Sequence, residues 1–99
     1  MAEKKITVVA RIKAKAGMEE KVKQELLSLL SPTRSEKGCI NYDLHQSFEN
    51  KSLFMFYESW ASKGDLEKHL GMPHMKSHMQ KASEILAEPG EITVWEKIS

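Results

Sequence analysis

Residues 53–60, LFMFYESW, alternate like a strand yet are apolar on both faces. Phe54, Phe56 and Trp60 fall on one side, and Leu53, Met55 and Tyr57 on the other. A two-sided apolar strand belongs inside a sheet, but an antiparallel sheet with helices on one face ordinarily leaves its other face in water. The chain has 99 residues, and a chain of this size buries only about 60–65% of the surface its unfolded form exposes. No segment is left over to cover the second face. A second copy of the chain is the expected cover, giving a homodimer through Leu53, Met55 and Tyr57.

The remaining periods define what surrounds that strand. ITVVARIK, residues 6–13, sets Ile6, Val8, Ala10 and Ile12 against Thr7, Arg11 and Lys13, with Val9 the exception. After Gly17 the period becomes helical: Val22, Leu26, Leu29, Leu30 and Thr33 form a stripe, and Lys21, Lys23 and Glu25 face outward. Pro32 lacks a backbone donor and predicts a kink or loosening in the last turn. Gly38 ends the helix. CINYDLHQS alternates Ile40, Tyr42 and Leu44 with Asn41, Asp43 and His45, and a turn at Glu49-Asn50-Lys51 joins it to LFMFYESW as a hairpin. Ser62 is a plausible N-cap for a short helix presenting Leu66, His69 and Leu70. Pro73 separates it from a second helix with Met75, Met79, Ala82 and Leu86 inward. Pro89-Gly90 ends that helix, and ITVWEKI is the last strand.

This order predicts an α+β, ferredoxin-like βαββαβ domain over residues 1–99, with the first and third strands central. As a dimer it would form an α+β barrel. Fifteen basic and fourteen acidic side chains give a net charge of +1. With no block of like charge, nothing points to nucleic acid or an anionic membrane surface. No apolar run approaches a membrane span or a signal-peptide core, so a cytoplasmic protein is expected. The single cysteine, Cys39, excludes an internal disulfide and has no neighbouring partner to activate it.

Chemistry-bearing residues cluster in FMFYESWASKGDLEKHLGMPHM. Strand alternation puts Glu58 between Phe56 and Trp60, either at a wet strand end or partly desolvated with its pKa raised. His69 lies on the inward stripe of its helix beside Leu66 and Leu70, and His78 adjoins Met75, Met79 and Ala82. For any one of them, a buried or half-buried histidine hydrogen-bonded to a neighbour is the commonest explanation. His74 and His78, four apart, could ligate zinc with His69 or Glu58 as a third ligand. The HExxH context is missing and no feature fixes that third ligand, so no metal is expected. His45 reads as surface. Six methionines serve as adaptable core or as walls for a flat apolar ligand. No phosphate loop, nucleophile elbow or dinucleotide fingerprint occurs, so no cofactor is expected.

KAKAGMEEKVKQELLSLL, SEKGCINY, YESWASKGDLEKHL and MPHM together resemble the antibiotic biosynthesis monooxygenase family. The likeness is greatest to its small quinol monooxygenases and autoinducer-2-degrading proteins. It covers almost the whole chain, and its most specific parts are E-x-G-C-x-x-Y (Glu36 to Tyr42), E-x-W (Glu58 to Trp60) and H-x4-H-M (His69 to Met75). The resemblance implies a dimer through the sheet, with a ligand pocket between sheet and helices. It also implies cofactor-free oxygenation of electron-rich phenols, anthrones or quinols, with a small aromatic substrate and O2 as partners. His69, Glu58 and Tyr42 are then candidates for proton transfer, His69 foremost as the base. Trp60, Phe56, His74, Met75 and His78 are candidates for binding substrate. The haem-degrading branch fits poorly: its first-strand asparagine matches Ala10, its helix tryptophan matches His69, and its ligating histidine falls at Met79. Two other readings remain open, an isomerase of a small phosphorylated ketone and a non-catalytic binding dimer.

Overall fold

The computed structural model describes residues 4–99, so residues 1–3 of the expected 1–99 domain lie outside the described residues. Eight elements follow one another: β1 (Ile6–Lys13), α1 (Glu19–Leu27), α2 (Leu30–Arg34), β2 (Cys39–Gln46), β3 (Leu53–Trp60), α3 (Lys63–Leu70), α4 (Pro73–Ile85) and β4 (Glu91–Trp95). The strands form one antiparallel sheet in the order β2-β3-β1-β4. This is the ferredoxin-like α+β fold, with β1 and β3 central as their patterns predict. Register places Val8 and Tyr42 on either side of Glu58, one line of side chains across the helix-covered face.

Local chemistry explains the breaks. Pro32 cannot donate to the Ser28 carbonyl, and the helix divides at Ser28–Leu29 into α1 and α2. The chain then turns through Gly38, whose φ is +90°, and this turn carries Glu36. Ser62 caps α3 by accepting from the Asp65 backbone N–H at 3.1 Å, and its hydroxyl donates to Asp65 Oδ2 at 3.0 Å. Pro73 opens α4 at its first position, where its missing N–H is harmless.

A Cβ at Gly38 would overlap the Asp65 side chain, including its Cβ at 2.7 Å, whereas one at Gly17, with φ +85°, would meet nothing within 4 Å. Gly17→Ala should therefore cost about 1–2 kcal/mol for its left-handed backbone. Gly38→Ala should cost clearly more, because it also disturbs the Ser62–Asp65 cap. Equal losses in urea denaturation would contradict the overlap.

Met79 borders the space between sheet and helices as expected, though it is 50% exposed and His78 beside it is the more deeply buried. One expectation about α4 is corrected. The helix ends at Ile85, before Pro89-Gly90. Leu86 is already extended and bridges to Ala14. The last strand stops at Trp95 and does not run through ITVWEKI. On the helix-free face Leu53 and Met55 are half-buried in the lone chain and Tyr57 is 44% exposed. Val9 and an exposed Trp95 flank them on that face. Among the described residues no helix is long and apolar enough to cross a membrane.

Candidate functional site

The sheet's covered face and helices α3 and α4 enclose a cavity of about 270 Å³. Its walls are mostly apolar: Val8, Ala10 and Ile12 of β1, Phe56 of β3, Leu66 and Leu70 of α3, Met75 and Ala82 of α4. The polar residues on the wall include Tyr42, Glu58, His69 and His78. Alternation on β2 and β3 aims Tyr42, Phe56 and Glu58 inward together. The helical stripe of α3 does the same for Leu66 and His69.

His69 is held from three sides. Its ring lies against Trp60, centroids 4.6 Å apart at 33°, and meets Tyr42 edge-on at 5.6 Å. Tyr42 itself stacks on Phe56 at 4.4 Å. His69 Nδ1 is 2.7 Å from Glu36 Oε2, and His74 Nε2 approaches the same oxygen at 2.8 Å. A carboxylate oxygen accepts, so this bonding assigns the ring protons to His69 Nδ1 and His74 Nε2. His69 Nε2 is left as the ring nitrogen able to accept a proton, on a residue that lines the cavity. Burial pushes the His69 pKa below the usual imidazole range, against the opposing bond to Glu36. The ring is thereby kept neutral.

Glu58 has a different environment. Burial raises its pKa from 4.5 to about 7, opposed by the Trp60 indole, whose Nε1–H donates to Glu58 Oε1 at 2.9 Å, and assisted by the nearby charge of Glu36. Near neutral pH this carboxyl can hold a proton or release one. Burial and the Glu58 charge hold the Tyr42 phenol well above its ordinary value, so it stays protonated. The Cys39 thiol is likewise pushed up by burial and by Glu36, which removes it as a nucleophile.

Six of the eight site residues expected from sequence stand on the cavity wall: His69, Glu58, Tyr42, Phe56, Met75 and His78. Trp60 and His74 do not line it. Trp60 backs His69 and bonds Glu58, and His74 bonds Glu36 behind the wall. His74 and His78, four apart in sequence, do not converge. His78 Nδ1 instead pairs with Glu25 Oε2 at 3.1 Å, and Lys81 lies 3.5 Å from Glu25 Oε1. Glu25, expected to face outward, is thus turned toward α4. Sequence reasoning had not given Glu36 a role. It sits in a turn without periodicity, and its only signal was its place in E-x-G-C-x-x-Y.

The raised Glu58 pKa has a consequence for stability. Below pH 4.5 both folded and unfolded chains hold the proton, so the stabilising contribution is fully present. As pH rises the unfolded chain releases it first, and the contribution is lost as pH passes through about 7. Between about pH 4 and pH 8 this should remove about 3 kcal/mol. Glu58→Gln should flatten that slope in urea denaturation across the range. An unchanged slope in the variant would show that Glu58 is not the group responsible.

A sequence profile described as antibiotic biosynthesis monooxygenase matches residues 5–81. An uncharacterized protein of Synechocystis is 30% identical over 94 residues, which are 95% of this chain; the chain spans 64% of that relative's length. A Mycobacterium tuberculosis protein with a provisional monooxygenase name is 32% identical over 89 residues, 90% of this chain and 87% of its own. The crystal structure of a Pseudomonas aeruginosa protein superposes with a TM-score of 0.93 at 29% identity, covering 100% of this chain and 99% of that one.

Proposed function

The chain belongs to the antibiotic biosynthesis monooxygenase family, and we propose that it is a cofactor-independent monooxygenase of quinol- or anthrone-like aromatics. One observation carries this reading. His69 is fixed through Nδ1 by Glu36, and its free nitrogen serves an apolar cavity that also holds a carboxyl with a pKa of about 7.

In this reading a flat, electron-rich ring enters the cavity and loses water from both faces. His69 Nε2 takes a proton from the substrate, as a base whose tautomer is already set. The resulting anion is rich enough in electrons to reduce O2 directly, and collapse of the radical pair forms a C–O bond to oxygen. The O–O bond of the peroxide then breaks. One oxygen atom stays on the ring and the other leaves as water, taking back the proton held on His69 and the one lost from carbon. For a hydroquinone the balance is QH2 + O2 giving a hydroxyquinone and water, so substrate and O2 supply every electron. Glu58, neutral at or below about pH 7, can hold a proton against the developing oxyanion. Tyr42 and Phe56 provide the aromatic wall, with Met75 and His78 opposite on α4.

We place the reaction in a cytoplasmic homodimer formed through the helix-free face, supported by the exposed Tyr57 and Trp95 beside Leu53 and Met55. Isomerisation of a phosphorylated ketone is less well supported. Apart from the histidines, the one cation among the lining residues is Arg11, and its pairing with Met55 and Glu91 sets its side chain on the helix-free face, away from the cavity. A phosphate would also meet Glu58.

Incubation with hydroquinones and anthrones under oxygen-18 gas tests the reading. One labelled oxygen in the product and the other in water is the expected outcome. Tight ligand binding without incorporation would instead identify a binding protein.

A further inference from the structure

Glu36, His69 and His74 each offer one ligand atom, and the three atoms lie within 4.8 Å of one another. They come from three segments: the turn after α2, the end of α3 and the first turn of α4. Both imidazoles approach the same oxygen, Glu36 Oε2, at 2.7 and 2.8 Å. Two ring protons therefore converge where a small cation could take their place.

We infer that this trio is a binding site for a divalent transition-metal ion of the zinc type. Two imidazole nitrogens and one carboxylate oxygen are donors suited to zinc, cobalt or nickel, and too nitrogen-rich for magnesium or calcium. Tetrahedral bonds of about 2.0–2.1 Å separate ligand atoms by about 3.3 Å, so the present contacts need to open by only about half an ångström. Glu36 and His69 are set by their surroundings, with side chains 6% and 2% exposed. His74, at 18%, is the most exposed of the three and gives the entry path. The set differs from the His74–His78 spacing visible in the sequence, because His78 is engaged by Glu25.

Occupancy has a consequence that rests on the oxygenase reading, although the binding itself does not. A neutral imidazole carries one ring proton. With metal taking the Nδ1 lone pair of His69, that proton must reside on Nε2, and the cavity then faces a donor where it had an acceptor. A metal behind the wall would silence the base without entering the cavity.

Zinc chloride titrated calorimetrically into chelator-treated protein should show one equivalent per chain and raise the melting temperature. Cobalt chloride should give a visible absorption band of a nitrogen- and oxygen-ligated site. His74→Ala should weaken zinc by more than the about 10–100-fold that loss of an outer-shell partner costs. Glu36→Gln, which keeps the shape of the side chain, should weaken it too, and His78→Ala should leave zinc affinity unchanged. Absence of saturable zinc binding, or binding that survives both His74→Ala and Glu36→Gln, would overturn the site. Oxygen uptake that persists when zinc fails to bind would sink this inference alone. Zinc that binds as described without slowing uptake would leave the site standing and count against His69 as the base.

Discussion

His69→Gln should lower turnover of an oxidisable quinol by about 10²–10⁴-fold, the usual contribution of a positioned general base. The expectation rests on three facts about one ring. It is neutral because burial depresses its pKa, its Nδ1 is committed to Glu36, and it stands on the cavity wall. Glutamine can still donate to Glu36 but has no nitrogen that accepts a proton near neutral pH. KM should stay near its wild-type value, since Tyr42, Phe56 and Met75 keep their places on the wall. The variant will lose some stability with the Trp60 and Tyr42 ring contacts. Rates must therefore be normalised to folded protein. Lower stability with unchanged rate per folded molecule would make His69 a packed core histidine and nothing more.

The second large effect is expected at Met55→Lys. Met55 sits on central β3, on the helix-free face, directly opposite Arg11 on β1 and His45 on β2. A lysine there places a charge at the centre of the proposed dimer face, opposite the Arg11 guanidinium, with no acid directly opposite it in either register. Burying an unpaired charge against a partner costs several kcal/mol, so the variant should dissociate or fail to fold. Light scattering should give twice the 11.3 kDa chain mass for the unmodified protein. A stable, soluble monomer of the unmodified chain would remove the dimer from the account.

What was legible in the sequence was what local chemistry decides. Pro32 had to interrupt its helix and Ser62 could cap the next one, and both do. Alternation put Glu58 on the covered face, and the two-sided β3 announced a central strand. Depth and partnership were not legible. Alternation told that Trp60 faces inward, but not that it backs His69 instead of lining the cavity. On α4 the helical stripe admits both His78 and Met79. Both border the cavity, and the deeper burial of His78 goes with its bond to Glu25 across on α1, a contact between residues 53 apart. Glu36 was hidden for the same reason: it meets His69 from a distance of 33 residues and His74 from 38. Its turn carries no period that could announce it.

Oxygen consumption by chelator-treated wild-type protein, followed at an electrode over a panel of hydroquinones and anthrones, tests the central claim most directly. At least one member of the panel should be oxidised well above the buffer rate, one O2 per substrate, with no metal, flavin or haem added. Uptake indistinguishable from buffer across the panel, or uptake that appears only when a redox cofactor is supplied, would contradict it.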